Sequence, residues 1–191
     1  MFINVNISYF DMWQLDIVDE QDNIMGKEDF EKVHSEGLRH KSVQIFVIEY
    51  EDYRDTVSKL LVAERSGRQK TSALKLHSSA GGHVKIGQTY LEAALEELRE
   101  ELFHDRTDLP RGIVLNEFGR YKNDTRPTNK ENTCLFVVRY SGPFSPDPAE
   151  ISRVFWQDSK EVKKKMKSEP EKYTKSFRNV MSEYMYVLHR E

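Results

Sequence analysis

Along the chain, short apolar runs alternate with polar breaks up to Trp156, and a helical period takes over afterwards. Phe2–Phe10 mixes apolar and polar residues at short spacing, as an edge strand does. Trp13–Val18, the polar turn Asp19–Asn23 and Ile24–Gly26 read as a β-hairpin. Lys27–His34 reads as a turn or short helix. Lys41–Glu49 is an apolar strand centred on Val43, Ile45, Phe46, Val47 and Ile48, and Lys59–Glu64 is the next. A glycine-rich loop beginning at Gly81 runs straight into a helix, where Thr89 and Glu92 make a capping box. Leu91, Leu95, Leu98 and Leu102 form its apolar side, and without a glycine to stop it the helix extends to about Asp105. Ile113–Tyr121, Thr133–Tyr140 and Ile151–Gln157 read as further strands, with polar Asn123–Asn132 as a loop and Gly142–Pro148 as a break.

From Asp158 the pattern is helical. Ser159–Lys167 is lysine-rich, Ser168 and Glu171 form a second capping box, and Phe177, Val180 or Met181, Tyr184 and Leu188 recur as one stripe. The expected fold is α/β (α+β): an α/β/α sandwich with a mixed β-sheet and an added C-terminal helix. Residues 1–158 make the domain, with 159–191 a helical extension packed on it.

Composition narrows the function classes. Thirty-eight per cent hydrophobic and 32% charged residues describe an ordinary globular chain, with no membrane span suggested. The net charge of −3 argues against nucleic acid as a partner. The lysines after Asp158 are interrupted by Glu161, Glu169 and Glu171, which makes them a solvated face. One cysteine, Cys134, rules out an internal disulfide framework and fits a reducing cytoplasm. The start lacks the basic end and apolar run of a signal peptide. Nothing in the chain decides against a homodimer.

The chemistry concentrates in the helix after the glycines. Glu97, Glu100 and Glu101 occupy a contiguous arc beside the leucine stripe. Carboxylates this close repel one another unless a cation lies among them, and oxygen ligands suit Mg²⁺ or Mn²⁺. Upstream, Arg65, Arg68 and Lys70 form a basic connection suited to gripping phosphate oxygens.

The run from Gly82 resembles the box of the Nudix hydrolases, G-x5-E-x7-R-E-U-x-E-E-x-G-U, with Glu97, Leu98, Glu100 and Glu101 on its E, U, E and E. The resemblance implies that these glutamates hold catalytic metal, that Glu97 is a candidate base for the attacking water, and that the carbonyl of Gly81 adds a ligand. Four positions depart from it: Gln88 replaces Glu, Glu96 replaces Arg, Phe103 replaces Gly, and His104 replaces an aliphatic residue. Losing the arginine removes the donor expected to hold the glutamates. A charge swap, with Lys85 bridging to Glu96, would repair it.

From Asp16 to Trp156 the order also resembles the branch nearest isopentenyl-diphosphate isomerases. Val18-Asp19-Glu20, His34-Ser35-Glu36-Gly37-Leu38-Arg39-His40, Arg65-Ser66 and Ser79-Ala80-Gly81-Gly82-His83-Val84 carry this likeness. Those enzymes need a cysteine where Gly81 stands, so isomerisation is disfavoured. His34, His40 and His83 match positions near their histidine metal site, although all three also have structural readings; His83 is counted among the substrate-binding candidates. Nudix enzymes often take a further ligand or base from the region after the box, where Glu131 is the first candidate and Glu117 the second. The resemblance implies Mg²⁺-dependent hydrolysis of a nucleoside diphosphate derivative or related small-molecule diphosphate. A catalytically weak or inactive ligand-binding protein is the alternative.

Overall fold

The computed structural model describes residues 14–50 and 57–188. The edge strand expected over Phe2–Phe10 lies outside them, as does Trp13. In chain order the elements begin with β1 (Gln14–Val18), β2 (Ile24–Asp29), α1 (Phe30–Glu36), β3 (Arg39–Tyr50), β4 (Val57–Arg65), β5 (Leu76–His77) and β6 (Ala80–His83). They continue with α2 (Tyr90–Leu102), β7 (Asn116–Lys122), β8 (Lys130–Arg139), β9 (Ile151–Asp158), α3 (Ser159–Ser168) and α4 (Lys175–Leu188).

Among the described residues nine strands join in one mixed sheet organised on β3. Along one edge β3 runs parallel to β8, from Arg39↔Lys130 to Ile48↔Arg139. It pairs antiparallel with β6 over Ser42–Ile45 and with β4 over Ile48–Tyr50, while β1 meets it at His40. β2 extends the sheet from β1, β7 from β8, and β9 and β5 from β4. The long apolar run of β3 follows from this central place, because both of its faces are covered.

Strand period sorts the core into two layers. Val43, Ile45 and Val47 face α2 together with Leu61, Ala63, Cys134, Phe136 and Val138. Phe46 and Ile48 face the opposite way with Leu60, Val62, Leu135 and Val137, and are covered by Val162 of α3 and by Phe177, Val180 and Met181 of α4. The sandwich read from the sequence is the fold observed. The stripe residues Tyr184 and Leu188 have side chains outside the described set. Among the described residues no helix is long and apolar enough to cross a membrane.

Several boundaries differ from the sequence reading, each for a physical reason. The return strand of the hairpin runs on to Asp29, held by pairing with β1 as far as Gln14, and the helix starts only at Phe30. Gly81 and Gly82 lie in strand β6 rather than in a loop; of the three glycines only Gly87, at φ 75°, sits in the left-handed region. α2 starts at the expected capping box but stops at Leu102. The carbonyls of Leu102 and Glu101 accept the Ser145 and Asp147 amides at 2.9 and 3.0 Å, and Phe103 turns inward against Tyr140 and Phe144. Its buried face is Tyr90, Ala93, Ala94, Leu98 and Leu102, whereas Leu91 is exposed. Ser168 ends α3 instead of capping a new helix. The Thr174 amide bonds the Leu76 carbonyl at 2.9 Å, keeping the chain extended there, and the Thr174 hydroxyl accepts the Phe177 amide at 3.1 Å in the first turn of α4.

Leu98 is fully buried between α2 and the sheet. Leu98→Ala is expected to cost about 2–5 kcal/mol of stability, measured as a lowered midpoint in urea unfolding with an unchanged slope.

Candidate functional site

The site is built around β6, whose successive residues point to opposite faces of the sheet. Close approach to backbone requires the first of its glycines, and the second makes room for a carboxylate. A Cβ on Gly81 would lie 2.6 Å from the carbonyl oxygen of Val43, and one on Gly82 would lie 2.2 Å from Oε1 of Glu97. Absent side chains let β6 press against β3 and let the Glu97 carboxylate rest on the strand.

On the α2 face, Glu97 and Glu101 are one helical turn apart and turned towards β6. Partial burial, helped by Glu100, raises the Glu97 carboxyl to about 7. Glu101 is pushed well above the usual carboxylate range by burial, then by Glu97 and Glu150, against the pull of Arg65 and of a hydrogen bond from the Gly81 backbone amide. Glu150 is an acid that the sequence reading missed. It sits in the polar break before β9, where it reads as a turn residue. The pairing of β9 with β4, which sets Ile151 opposite Arg65, brings it to the cluster. Its carbonyl accepts the Ser66 amide at 2.8 Å, and its carboxylate accepts the Gln69 side-chain amide.

The remaining α2 acids have other partners. Glu100 accepts from the Arg99 guanidinium at 2.8 Å towards the rim. Glu96, on the arginine position of the box, is gripped from the loop. Lys85 Nζ lies 2.8 Å from Glu96 Oε1, and Gln88 Nε2 donates to Oε2 at 2.6 Å while its own Oε1 accepts the Lys85 amide at 3.0 Å. The charge swap read from the sequence is formed. Partial burial opposes the Lys85 charge, but the Glu96 hydrogen bond and the fields of Glu96, Glu100 and Glu97 outweigh it and raise its pKa.

Of the three basic candidates, Arg65 alone has a place among these acids. It acts on Glu101 and donates to Gln69 at 2.7 Å, while its Nε is buried without a partner. Arg68 and Lys70 stand exposed on the turn.

On the opposite face lies a second cluster. His34 of α1, His40 of β3 and His83 of β6 bring their ligand atoms within 4.8 Å of one another. The Nδ1 atoms of His34 and His40 bond the carbonyls of Phe30 and Leu38, each at 2.9 Å. A ring that donates from Nδ1 keeps a lone pair on Nε2 when neutral. Burial, opposed by the Leu38 hydrogen bond, lowers the His40 pKa to about 4, and burial together with His40 and His34 lowers that of His83 to about 3. The Nε2 atoms of both rings are buried without hydrogen-bond partners.

Glu131 belongs to this cluster. The sequence reading grouped it with Glu97 and Glu101, but the register His40↔Glu131 carries its side chain to the histidine face. Its Oε1 lies 3.8 Å from His40 Nε2 and 3.9 Å from His83 Nε2, and burial raises its carboxyl to about 7. Lone pairs and a carboxylate therefore point at one space, an arrangement that a cation satisfies and neutral rings do not. Glu117 is exposed and paired with Arg120 at 2.9 Å.

Comparison with known proteins identifies the family. The NUDIX domain family matches residues 38–177. An uncharacterized Nudix hydrolase of Yersinia pestis is 31% identical over 153 residues, covering 78% of this chain and 74% of the relative. An isopentenyl-diphosphate Delta-isomerase of Serratia proteamaculans is 25% identical over 178 residues, 87% of this chain and 88% of that one. A crystal structure from Deinococcus radiodurans superposes with a TM-score of 0.72 at 20% identity, covering 89% of this chain and 98% of its own, which shows the shared fold. The matched span contains β3, the glycine strand and the acidic helix together, and the chain belongs to the Nudix family.

Proposed function

We propose that this protein is a divalent-metal-dependent hydrolase of a nucleoside diphosphate derivative or related organic diphosphate. The observation that carries the reading is the convergence of Glu97 and Glu101 on the glycine strand, with carboxyls raised by burial and by neighbouring acids, Glu150 among them. This donor set of hard oxygens fits Mg²⁺ or Mn²⁺. Glu97, Glu101 and Glu150 would hold it, with Glu100 at the rim and the Gly81 backbone beside them. When bound, the cation supplies Lewis acidity towards the diphosphate oxygens. Glu97, poised to change protonation near neutral pH, is the group placed to take the proton of an attacking water. Arg65 balances the acids and offers its free Nε to a phosphate oxygen. Lys85 and Gln88 fix Glu96 and so steady the helix turn that presents Glu97.

The orphaned Nε2 atoms of His40 and His83 support a second cation, held by His34, His40, His83 and Glu131. Imidazole nitrogens with one carboxylate suit Zn²⁺ or Mn²⁺. An isomerase reading has no support at Gly81: the position carries no thiol, and a Cβ there would meet the Val43 carbonyl oxygen at 2.6 Å.

Phosphate release from dinucleoside polyphosphates, nucleotide sugars, coenzyme A and prenyl diphosphates, with and without Mg²⁺, tests the activity. Glu101→Gln is expected to lower turnover of the accepted substrate by about 10²–10³-fold, the scale of losing one stabilising group at the reacting centre. A variant as active as the parent overturns the assignment, and tight binding without turnover in the parent replaces the hydrolase by a binding protein. For the clamp, Lys85→Glu is expected to lower both stability and turnover, while the Lys85→Glu/Glu96→Lys pair recovers part of each. The parent pair is half-exposed, so its own share of stability is about 1 kcal/mol or less. Cation binding must displace protons from carboxyls whose pKa values are raised, so Mg²⁺ affinity rises with pH as Glu97 ionises around 7. The Mg²⁺-induced rise in melting temperature is therefore expected to be larger at pH 8 than at pH 5.5.

A further inference from the structure

A chain of hydrogen-bonded polar groups, half-buried on α4 and buried at Asn123, runs from α4 to Glu131. Asn123, fully buried after β7, donates from Nδ2 to Glu131 Oε2 at 3.2 Å and to Ser176 Oγ at 2.6 Å. Its Oδ1 accepts from Asn179 Nδ2 at 3.0 Å, and its backbone amide bonds the Glu131 carbonyl at 2.9 Å. Gln44 donates to the same Ser176 hydroxyl. Asn129 Nδ2 holds Glu131 Oε1, the oxygen that faces His40 and His83, at 3.1 Å.

Both carboxylate oxygens are thus fixed by side-chain amides, and one of those amides is braced by a helix on the far side of the sheet's second core. The rest of that core is apolar: Phe46, Leu135, Phe177, Val180 and Met181 need no polar neighbour to pack. Burying Asn123 completely, with Ser176 half-buried beside it, is unfavourable unless their polar atoms are hydrogen-bonded. Among the bonds they make, the one from Asn123 Nδ2 reaches the Glu131 carboxylate.

We infer that Asn123, braced by Ser176 and Asn179 of α4, is a positioning residue for Glu131, so that the C-terminal helix sets the metal affinity of the histidine centre. This rests on reading His34, His40, His83 and Glu131 as a cation site. Asn123 is not among the residues that would hold the cation. It acts by holding the carboxylate plane at the angle where Oε1 meets the space shared by the three rings, the supporting role that partners of metal ligands have elsewhere.

Co²⁺ alone, titrated into the full chain and followed by its visible ligand-field absorption, tests this. The parent is expected to bind Co²⁺ with a band that His34→Ala abolishes. Asn123→Leu is expected to weaken Co²⁺ binding by about 10–100-fold and to shift the band. Ser176→Ala should move both in the same direction by less, and Ser176→Thr, which keeps the hydroxyl, should restore parental behaviour. Far-UV circular dichroism and metal-free melting report whether each variant is folded, and if Asn123→Leu is not, the Ser176 pair decides. Folded Asn123→Leu and Ser176→Ala variants, or Ser176→Ala alone where Asn123→Leu does not fold, with the parent's affinity and band overturn the positioning role and leave the histidine centre standing. A parent without a His34-dependent band overturns the centre itself, and the inference with it.

Discussion

The approach of β6 to its neighbours is the constraint on which the rest depends. Two adjacent residues without side chains allow the strand backbone to lie against β3 on one side and under the Glu97 carboxylate on the other. A larger residue at Gly81 would force the strand away from the Val43 backbone of the central strand, which has no room to yield, and one at Gly82 would displace the Glu97 carboxylate from its place on the strand. The same three-residue stretch then places His83 on the reverse face. One short strand therefore separates two clusters of polar side chains, carboxylates on one side and mainly imidazoles on the other.

These two sets carry opposite electrostatic burdens. On the α2 face, burial and mutual repulsion push carboxyls towards their neutral forms. On the histidine face, burial disfavours the imidazolium and leaves neutral rings beside a carboxyl that is itself raised. Lys85 shows how local the compensation is. Its ammonium is committed to Glu96, so it relieves the charge next to Glu97 without entering the space between Glu97 and Glu101. The altered box keeps an ion pair at the helix position where relatives are expected to use an arginine, with the signs of the two partners exchanged.

Much of the architecture could be read from period and punctuation. The apolar run around Val43–Ile48 marked the central strand, Thr89 and Glu92 the start of the main helix, and the acids on that helix one face of the candidate site. What escaped was set by contacts distant in sequence. Glu150 has no motif around it, and only the β4/β9 register brings it beside Arg65. Glu131 was visible as an acid at the head of a strand, but which face it would serve depends on a pairing with β3 that a shift of one residue would reverse. The end of α2 was missed because its stop is a loop that supplies amides to the last carbonyls, not a glycine in the local sequence. Thr174 likewise starts α4 because Leu76 holds the preceding chain extended.

The covering of β3 from two distant parts of the chain has a consequence for how the protein is made. Ser42 meets Thr133 across 91 residues, and Gln44 meets Ser176 across 132. At a translation rate of about 5–20 residues per second, a nascent chain holds Phe46 and Ile48 uncovered for on the order of ten seconds before α4 has been synthesised. Contacts so far apart make closure slow even once the whole chain is available. Of the two layers, the acidic helix can dock early and α4 only later, so the face that carries His40, His83 and Glu131 is completed after the face that carries Glu97 and Glu101.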